Sequence, residues 1–204
     1  MTFGIVLAAG RSTRMGSAKP LLEAHGTSFL RRAVTVLREG GCDAVVVVVP
    51  PDPSMREEAE AAGAAVVVND ATNSEQVDSL RMALDALPAD ALAAVVLPVD
   101  HPLVESSTVR ALLDAFVATR SAVVLPVRAG EPGHPALIAR ALFDAVRPAE
   151  LPEGLRTVLA AYADRTTYVN VEDPGVAIDL DTPADLERHL GAEARRNPFH
   201  RDSE

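Results

Sequence analysis

Phe3-Gly4-Ile5-Val6-Leu7-Ala8-Ala9-Gly10-Arg11-Ser12-Thr13-Arg14-Met15-Gly16-Ser17-Ala18-Lys19 opens the chain, and the reading of this stretch decides the fold. The apolar run Phe3 to Leu7 has the length of a β-strand. It passes at once into Ala8, Ala9 and Gly10, small residues that let backbone N–H groups approach an anion closely. Arg11, Arg14 and Lys19 then bring the charge that neutralises one. A strand running into a small-residue loop that gathers cations is a phosphate cradle. Its candidate nucleotide-binding residues are Leu7, Ala8, Ala9, Gly10, Arg11, Ser12, Arg14, Met15, Gly16 and Lys19. It is not a Walker A loop, which needs Gly-Lys-Ser/Thr at fixed spacing, nor a Gly-x-Gly-x-x-Gly dinucleotide loop.

Beyond this string, apolar runs recur at Ala44 to Val49, Ala65 to Val68, Ala93 to Val99 and Ala122 to Val127. Between them, helical periodicity predicts helices over Ser28 to Arg38, Pro53 to Ala62, Glu75 to Ala86 and Ser106 to Thr119. Gly40-Gly41 and Gly63 stand where C-terminal caps belong. Val45 to Val49 and Ala94 to Leu97 are apolar on both faces, as parallel strands covered by helices on each side must be. The expected class is a three-layer α/β/α fold around a mostly parallel, Rossmann-like sheet. After Val127 the rhythm changes. A turn at Ala129 to Gly133 leads to Ala136 to Ala139, and strand-like runs follow at Thr167 to Val171 and Val176 to Leu180, so the second half is expected to be mixed. Thr182-Pro183-Ala184-Asp185 reads as a helix start, with Thr182 as N-cap and Asp185 reaching back. We read one domain over 1–191 and a mobile polar tail over 192–204.

Composition narrows the partners. The chain has 204 residues, a net charge of -10 and a pI near 4.9, a balance that disfavours nucleic acid and anionic membrane surfaces. A free nucleotide needs only a few local cations and a metal ion, so it stays a candidate. The single cysteine, Cys42, excludes an internal disulfide and fits a reducing compartment. No apolar run reaches membrane-helix length, and the expected location is cytoplasmic.

Two acidic strings supply candidate metal ligands. Asp100 follows the run Ala93 to Val99 in Val99-Asp100-His101-Pro102-Leu103, at the carboxyl end of a parallel strand, where ligands of such sheets bind. A hard oxygen there suits Mg²⁺ bridging triphosphate oxygens, although an Asp before a Pro-containing turn is also an ordinary turn former. The string Asp179-Leu180-Asp181 places two carboxylates on one face of the expected strand, and paired like charges invite a cation.

The whole pattern resembles the molybdenum-cofactor cytidylyltransferase and guanylyltransferase group of nucleotidyltransferases, whose signature is Leu-Ala-Ala-Gly-x-Ser-x-Arg-Met-Gly-x-x-Lys-x-Leu-Leu. Ala8-Ala9-Gly10 is closer to the cytidylyltransferase branch than to the Ala-Gly-Gly form of the guanylyltransferases. The resemblance implies that Arg14, Lys19 and Asp100 are catalytic, that Asp100 and Asp179 hold Mg²⁺, and that Ser79 lies on the nucleotide side. Gly133-His134-Pro135 resembles the Gly-His-Pro segment of the cytidylyltransferases, which implies an acceptor-binding role.

There are also departures from the group. His101 replaces the commoner Gln, Glu75 stands where a Gly falls, and the Gly-Asp before Gly154 and Arg156 is missing. The implied reaction moves a nucleoside monophosphate, CMP in the cytidylyltransferase branch, from its triphosphate to molybdopterin, with release of pyrophosphate. A molybdoenzyme is the implied protein partner. Sugar, polyol or phospholactate-type phosphates are alternative acceptors, and a non-catalytic assembly factor is the alternative from another class.

Overall fold

The computed structural model describes residues 1–10, 19–72, 74–148 and 150–191. Arg11, Ser12, Arg14, Met15 and Gly16, together with the 192–204 tail, lie outside the described residues. In chain order the strands are β1 (Thr2–Leu7), β2 (Glu23–Ala24), β3 (Thr27–Ser28), β4 (Ala44–Val49), β5 (Ala65–Val68), β6 (Ala93–Pro98), β7 (Val123–Arg128), β8 (Glu131–Pro132), β9 (Ala136–Ala139) and β10 (Thr166–Asn170). The α-helices are α1 (Phe29–Glu39), α2 (Pro53–Ala61), α3 (Gln76–Ala86), α4 (Ser106–Thr119), α5 (Phe143–Val146), α6 (Leu155–Ala161) and α7 (Pro183–Leu190).

Helix starts follow from local chemistry. Ser28 caps α1, its hydroxyl accepting from the Arg31 amide, and Asp52 caps α2 ahead of Pro53. In α7 the Thr182–Asp185 capping box forms as the sequence predicts. Ser28 also donates to Glu58 at 2.6 Å, and Arg31 pairs with Glu58 through two bonds of 3.0 Å, which ties α1 to α2. Gly40 is where α1 and α4 come close: a Cβ there would lie 2.4 Å from the Cβ of Val109.

Across the main sheet the strand order is β10-β7-β9-β6-β1-β4-β5, with β8 on β7. The β4–β5, β1–β4, β1–β6 and β7–β10 pairs are parallel, while β9 runs antiparallel between β6 and β7. Alternate residues of each strand feed two cores. Val6, Val47 and Val95 face α1, α2, α4 and α7, whereas Ile5, Val48 and Val96 face α3, α5 and α6. This is the expected three-layer arrangement, and strands buried on both faces explain the continuous valine runs. No helix among the described residues is long and apolar enough to cross a membrane.

One expected element is corrected. Val176 to Leu180 is not a strand: Pro174–Ala177 forms a 3-10 turn, capped by Asp173, and the chain then runs extended. Apolar residues at every second position imitate a strand there. Pro174 and the Asp173 cap fix the turn instead, and Leu180 makes one backbone bond to the Asp100 carbonyl, at 2.9 Å, in place of a ladder.

Candidate active site

β1 ends at the point where the sheet reverses its direction of growth, with β4 on one side and β6 on the other. The Ala8 amide donates to Val48 and the Val99 amide to Leu7, so the loop after β1 and the loop after β6 leave the sheet side by side. This switch point is where open α/β sheets bind ligands. Leu7 and Ala8 are buried, whereas Gly10 is exposed and a Cβ on it would meet nothing within 4 Å among the described residues. Backbone at Gly10 is therefore open to a close approach.

Lys19 links the two ends of the chain at this edge. Its ammonium donates to Asp181 in a short bond and lies 3.9 Å from Asp100 Oδ2, with the Lys19 side chain only 12% exposed. Asp181 is thus more than a residue beside the start of α7. Asp179, the sequence-derived metal ligand, is exposed; Asp100, Asp179 and Asp181 all act electrostatically on His101. Asp100 Oδ1 is buried without a hydrogen-bond partner among the described residues. A buried, orphaned carboxylate oxygen is costly, and a hard cation is a natural partner for it. The residues present therefore fit a divalent ion. Among the described residues no three His, Cys, Asp or Glu side chains form a ready-made cage. Mg²⁺ is typically held by one or two carboxylates plus substrate phosphates, so the fit needs no such cage.

His101 and His134 meet beside Asp100, with ring centroids 4.4 Å apart. Burial pushes His101 down from the usual imidazole range against the pull of the nearby carboxylates. Burial, then the charges of His101 and Arg156, take His134 down to about 3, so its ring is neutral at physiological pH. The Nδ1 atoms of both rings are buried and lack a hydrogen-bond partner among the described residues. The expected acceptor residues Gly133, His134 and Pro135 thus reach the same edge as Asp100, because antiparallel β9 starts beside the end of β6. Gly133 packs so tightly on the connection to α7 that a Cβ would lie 2.2 Å from the Val176 carbonyl oxygen.

Ser79, expected on the nucleotide side, lies in the first turns of α3. It is buried in α3, and its hydroxyl accepts from the Asn69 amide at 3.0 Å, joining α3 to the end of β5. Glu75, where a Gly was anticipated, caps α3 through its own amide, which donates to Asp78 at 2.8 Å. Sequence reasoning passed over Asp173 and left Arg156 as a remnant of a motif. Nothing in the Asp173-Pro174-Gly175 string marks it out from an ordinary turn.

Residues 4–166 match the MobA-like NTP transferase domain family. Two curated relatives are a molybdenum cofactor guanylyltransferase of Xanthomonas euvesicatoria, 38% identical over 110 residues (54% of this chain, 52% of that protein), and a probable one of Opitutus terrae, 33% identical over 130 residues (63% of this chain, 62% of that protein). The matched segments thus span about half to three-fifths of those relatives. Among solved structures, Rv0371c of Mycobacterium tuberculosis superposes with a TM-score of 0.76 at 28% identity, covering 93% of this chain and 96% of that one. Another structure of that protein is a complex with manganese. A nucleotidyl transferase of Methanothermobacter shares the fold, with a TM-score of 0.80 at 20% identity, covering 97% of this chain and 99% of that one.

Proposed function

We propose that this chain, which belongs to the MobA-like NTP transferase domain family, transfers a nucleoside monophosphate from a nucleoside triphosphate to a small phosphorylated acceptor and releases pyrophosphate. The observation that carries the proposal is the meeting of Lys19, Asp100 and Asp181 at the sheet's switch point, beside the loop after β1. An acceptor phosphate oxygen forms the new bond to the α-phosphorus as the bond to pyrophosphate breaks. The acceptor brings its own ionised oxygen, so the site needs positioning and charge neutralisation more than a base. Lys19 exchanges a carboxylate for a phosphate oxygen when the triphosphate enters. Asp100, with Asp179, is the residue proposed to hold Mg²⁺, which when bound neutralises charge developing on the phosphates. That Rv0371c has been solved in complex with manganese supports a divalent ion as part of this reading. His134 and the backbone at Gly133 and Pro135 face the acceptor.

Molybdopterin is the first acceptor to test, supported by the Gly133-His134-Pro135 resemblance and by the names of the curated relatives. CMP is the donor group favoured by Ala8-Ala9-Gly10. GMP is the second reading, favoured by the relatives, which are named as guanylyltransferases. A molybdoenzyme receiving the product is the partner this reading implies. The test incubates the protein with Mg²⁺, each of the four nucleoside triphosphates and a panel of acceptors including molybdopterin, and follows pyrophosphate. Release with one base and one acceptor is expected. Nucleotide binding without release from any pair would replace this reading with a non-catalytic assembly factor.

A further inference from the structure

Asp173 is 5% exposed, and both of its carboxylate oxygens are used. Oδ1 accepts from the Gly175 amide at 2.7 Å and so shapes the turn that follows. Oδ2 accepts from the Glu105 amide and from the Thr108 hydroxyl, each at 2.8 Å, at the start of α4. One oxygen thus holds the connection to α7 and the other holds the segment just after the Asp100 loop.

The connection itself touches both halves of the candidate site. The Val176 carbonyl accepts from the His134 amide at 2.8 Å, and the Leu180 amide donates to the Asp100 carbonyl at 2.9 Å. A Cβ on Gly175 would lie 2.2 Å from the Leu103 carbonyl oxygen, matching the equally close approach at Gly133. Two backbone contacts this tight leave the connection no room to slide between the loops. A turn alone needs only one acceptor oxygen, which Asn or Ser supplies nearly as well. A buried carboxylate is costlier, and only its second oxygen reaches α4.

We infer that Asp173 is a positioning residue for the transfer reaction, fixing the register between the Asp100 loop and the Gly133–Pro135 turn. Through that register it sets Asp100 against His134 and keeps the His101–His134 pair together. The catalytic half of this inference rests on the proposed transfer; the register half does not.

The test compares wild type with Asp173→Asn, Asp173→Ala and Thr108→Val. Asp173→Asn retains an oxygen for Gly175 but turns an amide N–H towards the Glu105 N–H, and Thr108→Val removes a single donor should the Asp173 variants fold poorly. Amide hydrogen exchange is expected to speed up at His134 and Leu180 in the folded variants while central-sheet amides such as Val46 and Val96 stay protected. In the same molecules kcat is expected to fall by about 10²-fold, the usual cost of an ångström-scale misplacement, with metal-free nucleotide affinity unchanged. Lower melting temperatures with His134 and Leu180 protected as in wild type, and with kcat unchanged, would overturn the inference. If wild type transfers to no acceptor, the transfer reading fails by itself, and exchange at the two amides still decides whether Asp173 sets the register.

Discussion

Replacing Asp100 with Asn should slow nucleotidyl transfer sharply and, at the same time, raise the melting temperature. Among the described residues Asp100 Oδ1 is buried with no hydrogen-bond partner, His101 Nε2 lying 3.9 Å away, and a buried polar group left unsatisfied costs about 1–3 kcal/mol, more when it is charged. Asn at the same position removes the charge and most of that cost. Against this stands the loss of the Lys19 ion pair. That pair is long, 3.9 Å, and the Asp100 side chain is 27% exposed, so its worth is about 0–1 kcal/mol, and Lys19 retains Asp181. The balance favours the variant by about 1 kcal/mol, or about 2–4 °C for a chain of this size. Turnover should fall by about 10²–10³-fold, as when a preorganised electrostatic group is removed. Differential scanning calorimetry and pyrophosphate release, run on the same preparation, measure both. A melting temperature lowered by a similar amount, or turnover within about tenfold of wild type, would refute the assignment of a functional carboxylate with one unsatisfied oxygen.

Gly133→Ala must displace the Val176 backbone, since its Cβ would lie 2.2 Å from that oxygen, and should lower stability in urea by about 1–3 kcal/mol; an unchanged midpoint would contradict the packing described. The Arg31 and Ser28 bonds hold the Glu58 carboxyl below its ordinary value. Its folded pKa is thus below its unfolded one, so its contribution is present at neutral pH and lost as pH falls below about 4.3. Glu58→Gln should therefore be less stable than wild type by about 1 kcal/mol at pH 7, with the gap narrowing as the pH falls through the lowered folded-state range of Glu58; a gap that widens in acid would sink the reading. Burial, with the Asp43 charge, pushes the Cys42 thiol up to about 12. Native protein at pH 8 should leave Cys42 unlabelled by a thiol–disulfide exchange reagent until denaturant is added, and rapid native labelling would count against its burial.

The parallel half of the fold was legible because burial on both faces leaves a strong mark. Ala44–Val49 and Ser106–Thr119 occupy the residues the periodicity indicates. The small β2–β3 hairpin was missed, since its strands are two residues each and its His25-Gly26 turn has positive φ at both positions, a conformation with only a weak sequence mark. Val176 to Leu180 misled because spacing by two cannot distinguish a strand from a capped turn followed by extended chain. At the site, the role of Asp100 as a metal ligand came from the family resemblance, while its placement at the carboxyl end of a parallel strand was legible. The bond from Lys19 to Asp181 was not, as it joins residues 162 positions apart, and only the fold brings them together. Asp173 was hidden for a related reason: its second oxygen acts 65 to 68 residues away, while its neighbours Pro174 and Gly175 suggest a purely local role.

The antiparallel strand β9 enters the sheet from the same rim at which β6 leaves it. Residues 129–135 ahead of it therefore approach the Asp100 edge from a part of the chain far in sequence from the β1 loop. Under the proposed transfer, substitutions there bear on the acceptor, while the donor side stays anchored in the parallel strands. A scaffold divided in this way can diversify one substrate at a time.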